Sequence, residues 1–136
     1  MKILIDTREQ LPYGFENPSE VGTIPIGDYS ICGLENFIAI ERKELNDLIG
    51  CLIIDRDRFE RELLKGRSLD YFSLVLECSL SDLVNGHYRS EMNPKSAIQS
   101  LLAFSIKYRL PIWLSLIHIS EPTRPLYISY AVFCLK

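Results

Sequence analysis

Phe37-Ile38-Ala39-Ile40-Glu41-Arg42-Lys43-Glu44-Leu45-Asn46-Asp47 begins apolar and turns abruptly charged. Its first half reads as a buried strand, and its charged half marks where that strand leaves the core. Upstream, Tyr29-Ser30-Ile31-Cys32 is a second short strand, and residues 33–36 supply a turn, so 29–42 reads as a hairpin. Residues two apart in a strand share a face, so Glu41 and Lys43 project together while Arg42 points the other way. A hairpin brings its ends together, which sets Asp28 of Gly27-Asp28-Tyr29 beside Glu41. Two carboxylates and one ammonium then meet at a sheet end.

Working outward, residues 2–6 form a first strand that ends in Asp6-Thr7-Arg8-Glu9. Residues 10–28 hold three prolines and three glycines and read as a long surface loop. Residues 44–51 read as a short helix. Asp55 suits the N-cap of a second helix over 56–65, with Gly66 as its stop. Residues 70–78, aromatic and β-branched, read as a central strand. Ser79 or Ser81 caps a short helix through Val84, and Asn93-Pro94 opens a longer one. Residues 110–113 start a last strand. The order β-loop-β-β-α-α-β-α-α-β predicts a mixed central sheet flanked by helices, hence an α/β or α+β fold, of which α/β is the expectation.

The composition is that of a globular domain, with 47% hydrophobic and 24% charged residues among 136 and a net charge of −3. No apolar run has transmembrane length and no leader is evident, so the expected setting is cytoplasmic, with no membrane partner. Four cysteines without CxxC spacing read as free thiols, not as a zinc site.

Residues 114–124 (Leu-Ser-Leu-Ile-His-Ile-Ser-Glu-Pro-Thr-Arg) resemble the translation of a transposase-type sequencing adapter. Three residues follow where a barcode would lie, and Ile128 to Leu135 continue the adapter in frame. The expected organisation is thus a C-terminally truncated domain over 1–113 and a non-native tail over 114–136. The tail holds Arg124 and Lys136 against Glu121, so 1–113 is one unit more negative than the whole chain. His118 falls in the tail, which leaves His87 as the domain's histidine and excludes a histidine-rich metal site. Because residues 111–119 are apolar, the last strand is expected to run on through the junction, and 127–135 to offer another strand.

Carboxylates at a strand end suit Mg²⁺, which takes oxygen ligands and keeps several waters. Such an ion can activate water and neutralise a phosphate oxygen, and Lys43 could orient the water or stabilise the phosphorane. By spacing alone, a solvated strand end laced with salt bridges explains the pattern equally well.

Asp6-Thr7-Arg8-Glu9, Gly27-Asp28-Tyr29 and Glu41-Arg42-Lys43 with Asp47 together resemble the XPF-type nuclease family. Its signature is GDY followed by a strand ending in ERKxxxD, and its fold is the restriction-endonuclease-like fold of the PD-(D/E)xK superfamily. Compact phage and bacterial proteins carrying this domain alone are similar. The resemblance implies a metal-dependent, structure-specific endonuclease cutting branched, flapped or nicked DNA, in repair, recombination or phage DNA processing, in the nucleoid. It implies Asp28 and Glu41 as ligands of Mg²⁺ or Mn²⁺, Lys43 as the catalytic lysine, and Asp6 as a further acid binding metal directly or through water. Arg8 and Glu9 would shape the pocket and hold phosphate, with Arg42 packing or touching DNA backbone. Asp47 would orient Lys43 or Arg42. A homodimer or a helix-hairpin-helix partner is the further partner implied. Arg56 and Arg58 match the family's arginine-rich helix and would contact DNA, although by composition 56–67 reads as a solvated face. For Glu77, an auxiliary acid and a structural partner for an arginine are equally weighted. The competing function is a non-catalytic DNA-binding or scaffold subunit, which would have no need to keep Asp28, Glu41 and Lys43 together.

Overall fold

The computed structural model describes residues 1–115, in which the elements are β1 (Ile3–Asp6), β2 (Ser19–Gly22), β3 (Tyr29–Ile31), β4 (Ile38–Glu44), α1 (Leu45–Ile53), α2 (Arg56–Arg67), β5 (Tyr71–Glu77), α3 (Leu80–Val84), α4 (Pro94–Lys107) and β6 (Ile112–Leu114). They build one mixed sheet in the order β2-β1-β3-β4-β5-β6. β1–β3 and β3–β4 are antiparallel, while β1–β2, β4–β5 and β5–β6 are parallel. The two longest strands, β4 and β5, pair over seven residues, from Ile38 with Tyr71 to Glu44 with Glu77.

Alternation along these strands divides the core in two. Ala39, Leu74 and Leu76 face a cluster with Leu48, Phe59, Leu63, Ala97 and Phe104 from the helices. Ile40 and Val75 face the other way, where Ile3, Ile5 and Tyr29 are roofed by Tyr13 and Phe15 from the loop after β1. Phe59 and Leu63 are 1% exposed, and full burial of one such side chain contributes roughly 1.5–3 kcal/mol.

Three local expectations need correction. The segment 10–28 is not all loop, because residues 19–22 pair with β1 as a parallel edge strand. The strand is short and mostly exposed, so no apolar alternation advertised it. Asp55 stands at the N-cap of α2 but makes no cap hydrogen bond; its carboxylate lies 3.8 Å from Arg58. Gly66 does not stop α2, which runs on to Arg67. It is a glycine because a Cβ there would come within 2.2 Å of the Phe72 ring.

Elsewhere local chemistry decides. Ser79 caps α3 through a reciprocal capping box with Asp82, and Asn93 caps α4 ahead of Pro94. Cys51 and Cys78 are buried and Cys32 is half-buried, all as free thiols. β6 crosses the Trp113–Leu114 junction by one residue, with Leu114 paired to Leu76. The expectations for 116–136 lie outside the described residues. No described helix is long and apolar enough to cross a membrane.

Candidate active site

The site forms where β3 begins and β4 ends. Gly27 takes φ +87°, a left-handed conformation, and a Cβ on it would meet the Ile40 carbonyl oxygen at 3.0 Å. A glycine is therefore required to bring the chain onto β4. Tyr29 pairs with Ile40, and the same register sets Asp28 opposite Glu41. The Asp28 N–H donates to the Ile40 carbonyl at 2.8 Å, and its Oδ2 accepts the Arg42 N–H at 2.8 Å. The backbone of β4 thus fixes the Asp28 carboxylate.

Glu41 and Lys43 share a face as alternation requires, with Lys43 Nζ 3.4 Å from Glu41 Oε1. Burial raises the pKa of both Glu41 and Asp28, and for Glu41 the nearby Asp28 charge raises it further. Burial alone would lower the Lys43 pKa, but Glu41, Cys51 and Glu62 together outweigh it and hold the ammonium above its ordinary value. The Lys43 ammonium also sits 5.8 Å over the Phe59 ring.

Asp6 is present at the strand end but is fully engaged. Its Oδ1 accepts the Ile24 N–H at 2.9 Å, and its Oδ2 accepts Arg8 Nε at 2.6 Å and the Arg8 N–H at 3.1 Å. Burial pushes the Asp6 carboxyl up, but these donors together hold it below its usual value. Asp6 therefore aims Arg8, whose side chain is exposed and lines the cleft beside Asp28 and Glu41.

Two cavities, of about 380 and 310 Å³, share Arg8, Asp28, Glu41 and Lys43. The larger runs past Glu9 and Leu11 to Asp47 in the first turn of α1. The smaller runs to Glu62 and Lys65 on α2, against Phe72 and Ile26.

Arg42 turns away from both carboxylates into a buried cluster. It pairs with Glu77, lies 3.4 Å from Glu9, stacks 4.2 Å over the Tyr13 ring and reaches the Leu11 carbonyl. Glu77 pairs with Arg42 and at the same time borders the larger cavity.

The arginines of α2 stand away from the two cavities. Arg56 reaches Ser100 Oγ at 3.2 Å and stacks 4.9 Å over Phe104, tying α2 to α4. Arg58 is exposed, and neither borders the two cavities. Glu62 and Lys65 occupy that border and were missed. Helical spacing carried the signal: with Phe59 and Leu63 inward, Arg56 falls on one flank of the buried stripe and Glu62 on the other.

Comparison with known proteins is decisive at the level of family. The model of the ERCC4 domain matches residues 5–118. The chain belongs to the ERCC4 domain family. It is an XPF-type nuclease domain, structurally related to archaeal XPF. The structure of XPF from Aeropyrum pernix superposes with a TM-score of 0.65 at 18% identity, covering 85% of this chain and 56% of that one. The structure of XPF from Aeropyrum pernix in complex with DNA gives a TM-score of 0.71 at 17% identity, covering 98% and 64%. The chain thus spans less than two thirds of either relative. No curated protein matches.

Among the described residues of this ERCC4 domain, no group of three or more His, Cys, Asp or Glu side chains is gathered as a metal-holding cluster. The pair Asp28 and Glu41 is nonetheless the donor set that a hydrated Mg²⁺ uses, hard oxygens from two carboxylates with water and phosphate completing the shell. Burial and neighbouring carboxylates raise the pKa of both carboxyls, an unfavourable placement of charge that a cation bound between them would relieve.

Proposed function

We propose that this ERCC4 domain is a Mg²⁺- or Mn²⁺-dependent endonuclease that hydrolyses a phosphodiester bond in branched, flapped or nicked DNA, in repair, recombination or phage DNA processing. The observation that carries the reading is the union of Asp28, Glu41 and Lys43 at one sheet end, half-buried and opening on two cavities.

Asp28 and Glu41 would hold the ion, which supplies an activated water and neutralises charge on the phosphate. The chain's own groups do the rest. The Arg42 N–H keeps Asp28 Oδ2 in place. Glu41 holds Lys43 beside the phosphate, where its ammonium can orient the attacking water or stabilise the phosphorane. Asp6 holds Arg8 at the mouth shared by both cavities, where a guanidinium can grip a phosphate oxygen. Lys65 stands at the far end of the α2-side cavity and suits a neighbouring phosphate. Asp47 borders the other cavity from the start of α1 and suits a role in ordering water there. The local charge of Arg8, Lys43 and Lys65 matters more for DNA than the negative net charge does.

The test is nicking of flapped and branched duplexes with Mg²⁺ or Mn²⁺. Asp28→Asn and Glu41→Gln are expected to abolish cleavage while DNA binding persists. Lys43→Ala is expected to lower kcat by roughly 10²-fold or more with metal affinity retained. Wild-type cutting in EDTA would overturn the metal mechanism.

A further inference from the structure

We propose that Glu77 and Tyr13 are positioning residues for this cleavage reaction, acting through Arg42. The proposal rests on the nuclease reading above. It concerns the face of β4 opposite the carboxylate pair.

Arg42 has two ends with different tasks. Its backbone N–H donates to Asp28 Oδ2 at 2.8 Å, so where β4 holds Arg42, Asp28 follows. Its guanidinium reaches the loop after β1, touching the Leu11 carbonyl and lying 3.4 Å from Glu9 Oε2. That loop carries Glu9 and Leu11 on the wall of the larger cavity, directly after Arg8. One residue therefore spans from the loop wall of the cleft to the carboxylate in its floor.

Glu77, at the end of β5, fixes the guanidinium. It pairs with Arg42 Nε, and Tyr13 Oη donates to the same Glu77 carboxylate oxygen at 3.1 Å. The Tyr13 ring lies flat beneath the guanidinium and stacks on Tyr29 at 5.7 Å. Tyr29 closes the circuit, donating to Glu9 Oε2 at 3.3 Å and accepting the Tyr13 N–H at 3.2 Å. The side chains of Arg42 and Glu77 are 8% and 10% exposed. A buried arginine between two glutamates and two phenols has few alternative arrangements, since moving any member strands another polar group. The circuit sets how far residues 9–13 stand from Asp28, and so the width of the cleft. Tyr13 borders neither cavity; Glu77 borders the larger one, but its Oε1 is engaged by Arg42 Nε and Tyr13 Oη, so both act through Arg42.

The test compares Glu77→Gln and Tyr13→Phe with wild type in the full chain, and Glu20→Gln, in the exposed Lys2–Glu20 pair, serves as control. Amide hydrogen exchange over residues 9–13 and cleavage kinetics are read together. Glu77→Gln should speed exchange of these amides at least about tenfold and lower kcat about tenfold or more, with KM changed less than about threefold. Tyr13→Phe keeps the ring stack and removes one donor, so it should shift the same amides and kcat in the same direction by less. The control should move neither. Unchanged exchange at 9–13 in both variants overturns the clamp, as does a loss of kcat that tracks only the melting temperature. Wild-type chain that cuts no DNA overturns the nuclease reading instead, and amide exchange still decides whether the clamp exists.

Discussion

Asp28 and Glu41 are held close by pairing geometry, not by attraction. Burial raises both pKa values, so the folded protein without metal binds more protons than the unfolded chain across the range above ordinary carboxylate values. Stability therefore falls as pH rises from about 4 towards neutrality. Metal-free protein should melt at higher temperature at pH 5 than at pH 8, and saturating Mg²⁺ should flatten the difference. Asp6 runs in the opposite sense: its lowered carboxyl contributes stability above the unfolded pKa, lost as pH falls through the folded value. Asp6→Asn should leave metal affinity largely intact but weaken DNA binding, because Arg8 loses the acceptor that aims it. Metal titration and DNA affinity, measured separately, check that split. At this scale the sequence was informative where two-residue alternation sufficed, as for Glu41, Arg42 and Lys43. It was silent on Asp6, whose oxygens are taken by Ile24, eighteen positions away, and by Arg8. Whether a strand-end acid faces a metal or an arginine depends on the chain that folds over it.

Caps and glycines separate the elements that local sequence specifies from those that packing specifies. Ser79 and Asp82 form their capping box within four residues, so α3 could be read directly. Ser79→Ala should cost about 1 kcal/mol. Asp55 looks equally good in sequence yet caps nothing, so Asp55→Ala should stay within about 0.5 kcal/mol of wild type. Urea unfolding of the two variants checks the contrast. In sequence Gly66 reads as a helix stop because glycine is common there, but its reason lies across the interface in Phe72. Gly66→Ala gains roughly 1 kcal/mol of helix propensity and incurs roughly 1–3 kcal/mol of overpacking, so destabilisation should win. Phe72→Leu in the same chain should recover part of the loss. β2 was illegible for a related reason: an exposed four-residue edge strand is held by the backbone of β1 and leaves no side-chain pattern. Glu62 and Lys65 were legible in principle, since Phe59 and Leu63 fix the rotation of α2.

At the scale of the molecule, parallel pairing of β4, β5 and β6 makes β6, with three residues ending at Leu114, the last strand of the sheet among the described residues. Ile112 and Leu114 are half-buried against the helix-side core, and Trp113 Nε1 donates to Tyr71 Oη at 3.3 Å on the other face. Strand alternation alone therefore seats Leu114, and any apolar residue in register with Leu76 would seat as well. The family match, which ends at residue 118, is compatible with the same point, because pairing to β5 asks only for an apolar strand. That matters for residues 114–136, which we propose to be translated adapter, since they read as the residues such DNA would encode on both sides of a barcode in one frame. A tail of that origin has no evolved partner, and its apolar sequence favours association. Amplifying the locus from source DNA and reading past the Trp113 codon is expected to show a different continuation. Protein carrying that continuation should be less prone to aggregate than the chain ending in Lys136, as light scattering at matched concentration would report. A genomic read that reproduces Leu114 to Lys136 would overturn the proposal and return His118, Glu121 and Arg124 to consideration as functional side chains.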